Sequence, residues 1–412
     1  MNSTILHGDC RDTLKTVPDG TVQCCVTSPP YWGLRSYLTK GHADKHLEIG
    51  QEPTPEAYVE TMVGVFREVK RCLHDSGTLW LNVGDSYCAN GGGGESRMIE
   101  LYGENAPECK GIHGAAGNGQ KSGSKGVTYP GLKPKDLCGI PWRLVLALQA
   151  DGWYWRSCIV WHKKSCMPES VTDRPTNSWE PIFLLAKSQR YFYDAEAVKE
   201  VGGGTWNDGG YRNGKSVYLE NKSHDNSATE QGVAGWKPQV DNRRNQRNVW
   251  TLGPEPYPES HFATFPTEIP RRAILAGTSA KGCCPKCYAP WERQVERTPA
   301  TSKKCPKTDG IYQAQGGNGA KKTGTIGMSG GGRIDGKVET LGWYPSCRCN
   351  NDDDDYEVLP IPCTVLDPFG GSGTTGAVAI ELGRKAILCE LNPDYLPLIQ
   401  KRTFVTPGLQ LA

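Results

Sequence analysis

Leu366-Asp367-Pro368-Phe369-Gly370-Gly371-Ser372-Gly373-Thr374-Thr375-Gly376 is the stretch that decides the fold. It follows the β-prone run Thr364-Val365-Leu366 and opens a helix over 374–382. The next strand, Lys385 to Glu390, ends on an acid. Glycines at such a turn let a ligand lie on bare backbone beside a helix N-terminus. An acid at the end of the second strand suits the two hydroxyls of a ribose. No Lys-Ser/Thr follows the glycines, which excludes a phosphate-cradling Walker loop, and the spacing misses the dinucleotide G-x-G-x-x-G pattern. A nucleoside without a pyrophosphate fits the loop better.

Val22-Gln23-Cys24-Cys25-Val26 reads as a strand that stops at Ser28-Pro29-Pro30, because prolines end a ladder. In a parallel α/β sheet, ligands bind beyond the carboxyl ends of the strands. There Thr27-Ser28-Pro29-Pro30-Tyr31-Trp32 offers fixed carbonyls, a hydroxyl and an aromatic face, a set able to hold an amino group on a flat ring. Alone, the same run serves equally well as a proline turn with core aromatics. Spacing predicts helices over 56–73 and 141–148, and strands over 78–83, 157–161 and 181–186. Strands alternating with helices define an α/β fold with a mostly parallel sheet. Residues 89–130 read as a loop insertion, and 200–260 and 298–340 as polar stretches with little sign of a core.

Together, the glycine loop and Thr27 to Tyr31 resemble the amino-methylating (N4-cytosine/N6-adenine) DNA methyltransferases, in the β-class order with the catalytic motif first. The resemblance extends to Leu6-His7-Gly8-Asp9-Cys10, Val83 to Tyr87, Asp136 to Trp161, Arg174-Pro175-Thr176 and His261 to Pro266. It implies a circularly permuted, Rossmann-like fold that uses S-adenosylmethionine. It places that donor on Asp367, Phe369, Gly370, Gly371, Ser372, Gly373 and Thr374, with Glu390 on the ribose and Asp9, Phe265 and Pro266 completing the pocket. It makes Ser28, Pro29, Pro30 and Tyr31 catalytic, acting on a base flipped out of the duplex. Serine before Pro-Pro-Tyr favours cytosine N4, and adenine N6 is the rival target. A nucleic-acid-binding ribbon protein with an inactive core and a protein-amide methylase also compete, although the methylase would carry Asn in place of Ser28. C5-cytosine chemistry wants a nucleophilic cysteine after proline, and Pro362-Cys363-Thr364 leads into the donor strand instead.

The chain has 412 residues, 17 of them cysteine, and a formal net charge of +2. Cys24, Cys25, Cys158 and Cys389 lie inside apolar runs, where free cysteine acts as a small buried hydrophobe. Cys284, Cys287, Cys347 and Cys349, chosen over Cys283, have the pairing of a structural four-cysteine zinc ribbon. Charge is uneven: Lys281 to Cys349 holds twelve Lys/Arg against five Asp/Glu, and five lysines without an acid lie between Lys110 and Lys135. Such surfaces suit a phosphate backbone or serve as plain solvated loops. Arg243, Arg244 and Arg247 are DNA-binding candidates of the same kind. No run approaches the ~20 apolar residues of a membrane span, and the start lacks a signal-peptide pattern, which points to the cytoplasm.

The expected layout is a catalytic part at 1–199, a target-recognition region at 200–260 and a donor-pocket segment at 261–282. A zinc ribbon at 283–350 and the donor-binding part at 351–412 complete it. Double-stranded DNA is the expected partner; a cognate restriction endonuclease and a homodimeric assembly stay open.

Overall fold

A computed structural model describes residues 3–88, 132–166, 168–201, 243–253, 255, 265–297, 338–349 and 359–403. Two compact units emerge. The larger comprises Met1–Val198, Gln246–Glu292 and Trp343–Ala412; the smaller comprises Lys199–Asn245 and Arg293–Gly342.

The larger unit is built on one eight-stranded sheet. In chain order its strands are β1 (Ser3–His7), β2 (Val22–Thr27), β3 (Leu73–Asn82), β4 (Tyr154–Lys163), β5 (Trp179–Ala186), β8 (Val249–Leu252), β11 (Thr364–Asp367) and β12 (Lys385–Glu390). Across the sheet they run β1-β12-β11-β2-β3-β5-β4-β8. Only β5 is antiparallel to its neighbours; the other pairs are parallel. Two further two-stranded sheets pair β6 (Glu200–Val201) with β7 (Arg243–Arg244), and β9 (Trp291–Arg297) with β10 (Val338–Pro345).

Alternation along the strands assigns the two cores. Cys25, Leu79, Leu81, Phe183 and Leu366 face helices α2 (Pro55–Cys72) and α3 (Ile140–Ala150), which follow the short α1 (Cys10–Thr13). Their neighbours Cys24, Val26, Trp80, Leu184 and Val365 face α4 (Glu268–Gly277) and α5 (Thr374–Glu381). Thr54 starts α2 by accepting the Ala57 N–H, 3.1 Å, with Pro55 in the first turn. Asp85 starts α3 from a distance, its carboxylate accepting the N–H groups of Gly139 and Ile140 at 3.0 Å each. Among the described residues no helix is long and apolar enough to cross a membrane.

The expected strands and helices are present with small changes of boundary. Several elements escaped the reading of the sequence: β1, α1, the strands β6 to β10, α4 and the last helix, α6 (Leu396–Thr403). The 200–260 stretch also differs from its reading as coreless. Its end, β8, is an edge strand of the main sheet, and Trp250 is buried there with its ring stacked on Trp80, 6.2 Å between centroids. The 89–130 insertion and most of 298–340 lie outside the described residues.

Because Trp250 fills space against Trp80, Trp250→Ala should lower stability by about 3–5 kcal/mol in urea unfolding. A loss below about 1 kcal/mol would mean that β8 contributes little to the sheet.

Candidate functional site

The sheet reverses its winding between β11 and β2. From β11 the chain passes through α5 to β12 on one side, and from β2 through α2 to β3 on the other. A cleft opens where the strand order reverses, outside the carboxyl ends of both strands. The two ends are tied together: the Thr27 hydroxyl donates to Asp367 Oδ1 at 2.7 Å, and the same oxygen accepts the Phe369 N–H at 3.1 Å. The Thr375 hydroxyl donates to the Val26 carbonyl at 3.2 Å, joining α5 to β2.

The glycine loop is held by hydrogen bonds to the end of β12. Gly370 N–H reaches the Cys389 carbonyl, 2.8 Å, and Gly371 N–H reaches Glu390 Oε2, 2.7 Å. Glu390 Oε1 accepts the Asn392 N–H at 2.8 Å, so two backbone donors fix the carboxylate. Burial pushes the Glu390 carboxyl up to about 7 against those hydrogen bonds, and nearby Asp367 adds to the rise. Burial likewise pushes Asp367 up to about 7, although the Thr27 hydroxyl works the other way.

Asp9, Ser28, Phe265, Phe369 and Glu390 all line this cleft, as do Asp367, Gly370, Gly371, Ser372 and Thr374. Asp9 caps α1 by accepting the Arg11 N–H at 2.8 Å and is ion-paired with the Arg11 guanidinium. Pro266 is buried behind Phe265, its carbonyl accepting the Ile269 N–H at 3.0 Å; His261 to Thr264 lie outside the described residues. Gly373 has φ +81°, and a Cβ there would meet Ile399 Cα of α6 at 3.1 Å, so the close approach of α6 also requires glycine at this turn. The Ser372 and Thr374 hydroxyls are bound by Arg402 of α6, 2.8 and 2.9 Å away.

One wall was not foreseen. Tyr37, Leu38, Leu47, Glu48 and Ile49 belong to the loop between β2 and α2. Glu48 organises it, accepting the N–H groups of Tyr37, at 2.7 Å, and Leu38, and pairing with Lys45. No periodicity marks such a loop; the carboxylate that gathers its own backbone is the only signal.

Of the proline loop, Ser28 and Pro30 reach the cleft, while the Pro30 carbonyl also accepts the Tyr58 hydroxyl at 3.0 Å. Trp32 is buried in the core beside α2, its indole N–H bound to the Glu52 carbonyl at 2.9 Å. Tyr31 turns its hydroxyl toward β5 and β3, 2.8 Å from Glu180 Oε2 and 3.2 Å from Asn82 Oδ1, with Ser28 Oγ at 3.4 Å. Its ring packs against Gly84, where any Cβ would overlap it. Burial, then the Glu180 charge, raises the Tyr31 phenol well above its ordinary value. Glu180 and Asn82 were missed, although a carboxylate opening an apolar strand and an amide between Leu81 and Val83 were signals to follow.

The four sulfur atoms of Cys284, Cys287, Cys347 and Cys349 lie within 4.8 Å of one another. Tetrahedral thiolates ~2.3 Å from zinc require sulfurs about 3.8 Å apart, so the group fits that ion after a slight contraction. Tyr288, at φ +63°, closes the first knuckle as its N–H returns to the Cys284 carbonyl, 2.9 Å. Cys283 is outside the group and pairs its backbone with Ile361. Arg244 is ion-paired with Glu200 at 3.0 Å. Arg247 belongs to the larger unit and gives its carbonyl to the Trp250 indole, 2.9 Å. Arg243 sits on β7, its side chain outside the described residues.

The cleft where the α/β sheet reverses its winding is lined by the glycine loop and by Ser28 and Pro30 of the Ser-Pro-Pro-Tyr loop. The N6/N4 methyltransferase family, described as DNA methylase, matches residues 22–284 and 363–401. The chain is 33% identical to the type II methyltransferase M.SmaI of Serratia marcescens, over 97% of this chain and 89% of that one. It is 41% identical to M.Cfr9I of Citrobacter freundii, a type II methyltransferase, over 67% of this chain and 73% of the other. A solved PvuII DNA methyltransferase (cytosine-N4-specific) aligns at TM-score 0.48 and 13% identity, covering 99% of this chain and 88% of that one. The protein belongs to the N6/N4 amino DNA methyltransferase family and is an S-adenosylmethionine-dependent DNA methyltransferase.

The pKa of Asp367 gives a signed prediction. A carboxyl raised on folding stabilises the fold below its unfolded pKa of about 4 and loses that contribution as pH rises through about 7. Asp367→Asn keeps an oxygen for Thr27 but cannot ionise. With no ligand added, the melting temperature of the variant minus that of the wild type should grow from about pH 4 to pH 7 and then level off. A constant difference over that range would contradict a buried, ionisable Asp367.

Proposed function

We propose that the protein methylates the exocyclic N4 of cytosine in double-stranded DNA, as the modifying partner of a cytoplasmic restriction endonuclease. The observation that carries the base assignment is Ser28, which precedes Pro-Pro-Tyr and lines the same cleft as Asp367. S-adenosylmethionine, when bound, supplies a methyl group on a positively charged sulfur. The cleft suits it chemically. Glu390, already fixed by two N–H groups, keeps acceptor capacity for a ribose diol, and Phe265, Ile49 and Leu38 give apolar walls for a purine. Asp9, Asp367 and the backbone of Phe369 to Thr374 would hold the rest of the donor.

The target base must leave the duplex, at a cost of a few kcal/mol. Ser28 Oγ and the Pro29 carbonyl then accept hydrogen bonds from its amino group, which keeps lone-pair density on nitrogen. Pro29 and Pro30 fix the loop, so little reorganisation accompanies the reaction. Base selection would fall to the polar regions around 200–260 and 298–340, with Arg243, Arg244 and Arg247 as contacts to phosphates or base edges. Cys284, Cys287, Cys347 and Cys349 would hold one structural zinc, a closed all-sulfur site without a catalytic role.

Mass spectrometry of nucleosides from DNA treated with enzyme and donor should show N4-methyldeoxycytidine. N6-methyldeoxyadenosine in its place would move the target to adenine, and neither product would remove DNA as the substrate. Elemental analysis should find about one zinc per chain, lost in the Cys284→Ser/Cys287→Ser variant along with local order around β9 and β10. Zinc-free protein with four reduced thiols there would leave only a cysteine-rich turn.

A further inference from the structure

We propose that Glu180, held by Lys163, is a positioning residue for methyl transfer: by accepting from the Tyr31 hydroxyl, it turns the Ser28 hydroxyl so that its lone pairs face the target amine. The inference rests on the methyltransferase reading above.

Glu180 opens β5, and its side chain is only 14% exposed. One carboxylate oxygen, Oε1, is taken by the Lys163 ammonium from β4, where Trp161 is the cross-strand partner of Glu180. The other, Oε2, faces the Tyr31 hydroxyl at 2.8 Å and the Asn82 amide nitrogen at 3.3 Å. An ionised carboxylate only accepts hydrogen bonds, so Tyr31 must be the donor. Asn82 reinforces the direction. Its amide nitrogen is used by the Pro181 carbonyl, 3.1 Å, and by Glu180, which leaves its oxygen toward Tyr31. The phenol therefore meets acceptors on both sides, and its own lone pair is left for the Ser28 O–H, 3.4 Å away. That contact is long, as catalytic hydrogen bonds commonly are until the reacting complex forms. A Ser28 proton directed at Tyr31 cannot point at the target amine, so Ser28 meets that amine as an acceptor. Lys163 matters because an unpaired, largely buried carboxylate is costly, and because it fixes which oxygen Tyr31 sees.

Lys163 also makes the relay testable. In Glu180→Gln the amide has a single oxygen, and the ammonium claims it. The amide nitrogen then faces Tyr31 and competes with Ser28 for the phenol's lone pair. Adding Lys163→Met frees the oxygen to turn back toward Tyr31.

Full-length wild type, E180Q, K163M, K163M/E180Q and Y31F would be compared on DNA with labelled donor, alongside donor affinity by calorimetry. The expected result is a fall in kcat of about tenfold for E180Q, the worth of one misdirected hydrogen bond, with donor affinity unchanged. K163M/E180Q should recover kcat above E180Q. In protein labelled with ¹³C at the tyrosine ζ carbon, the resonance lost in Y31F should shift in E180Q and return toward wild type in the double variant. Wild-type kcat in E180Q, or no recovery in the double variant, overturns the proposal. So does a Tyr31 resonance unmoved by E180Q. If wild type methylates no DNA, the functional reading fails, and the carbon shift alone still decides the relay.

Discussion

The hydrogen bond from Thr27 to Asp367, 2.7 Å long and sealed from water, is the constraint on which the site depends. Thr27 ends the strand that delivers the proline loop, and Asp367 ends the strand that delivers the glycine loop. With these ends locked together, the place where a donor would lie and the place where an amine would arrive keep a fixed separation. Methyl transfer between two bound groups is governed by alignment, and a displacement near 1 Å is costly. Parallel pairing of Val365 with Cys24 and of Leu366 with Cys25 extends the same lock into the sheet.

Both loops were legible because each is contiguous. A strand, a glycine turn, a helix and an acid fall within 364–390, and all their meaning is local. The four-cysteine group was legible for a related reason, since two close pairs of one residue type are visible at any separation. What stayed hidden was non-local or locally atypical. β1 has only five residues and a partly exposed pattern, because it sits at the sheet edge beside β12. α4 carries Pro270 in its first turn, and β8 announces itself only by Trp250. Glu180 and Lys163 are 17 residues apart and meet solely because β4 and β5 pair in antiparallel register. At Gly373 the spacing reports that a turn needs glycine without showing that α6 crowds it through Ile399.

The two carboxyls in the cleft lie outside the ordinary range for the same reason. Asp367 is buried and Glu390 partly so, and both receive neutral donors, hydroxyl or amide, as their nearest hydrogen-bond partners. Neutral donors offset part of the desolvation cost and leave the charge in place. The cleft thus keeps acceptor oxygens ready for hydroxyl groups, at some expense in fold stability near neutral pH.

The lock between Thr27 and Asp367 joins residues 340 positions apart, so the chain between them is one very long closed loop. Loop-closure entropy grows only with the logarithm of length, about 0.6 kcal/mol for each doubling. Once that contact has been secured, lengthening or exchanging segments on the far side of the loop adds almost nothing to the cost of holding it. A sheet wired from both ends of its sequence can therefore host new recognition surfaces while the reacting geometry stays the same. The accompanying cost is kinetic. A ribosome must deliver Asp367 before Thr27 finds its partner, so the early strands wait with an unpaired edge during synthesis.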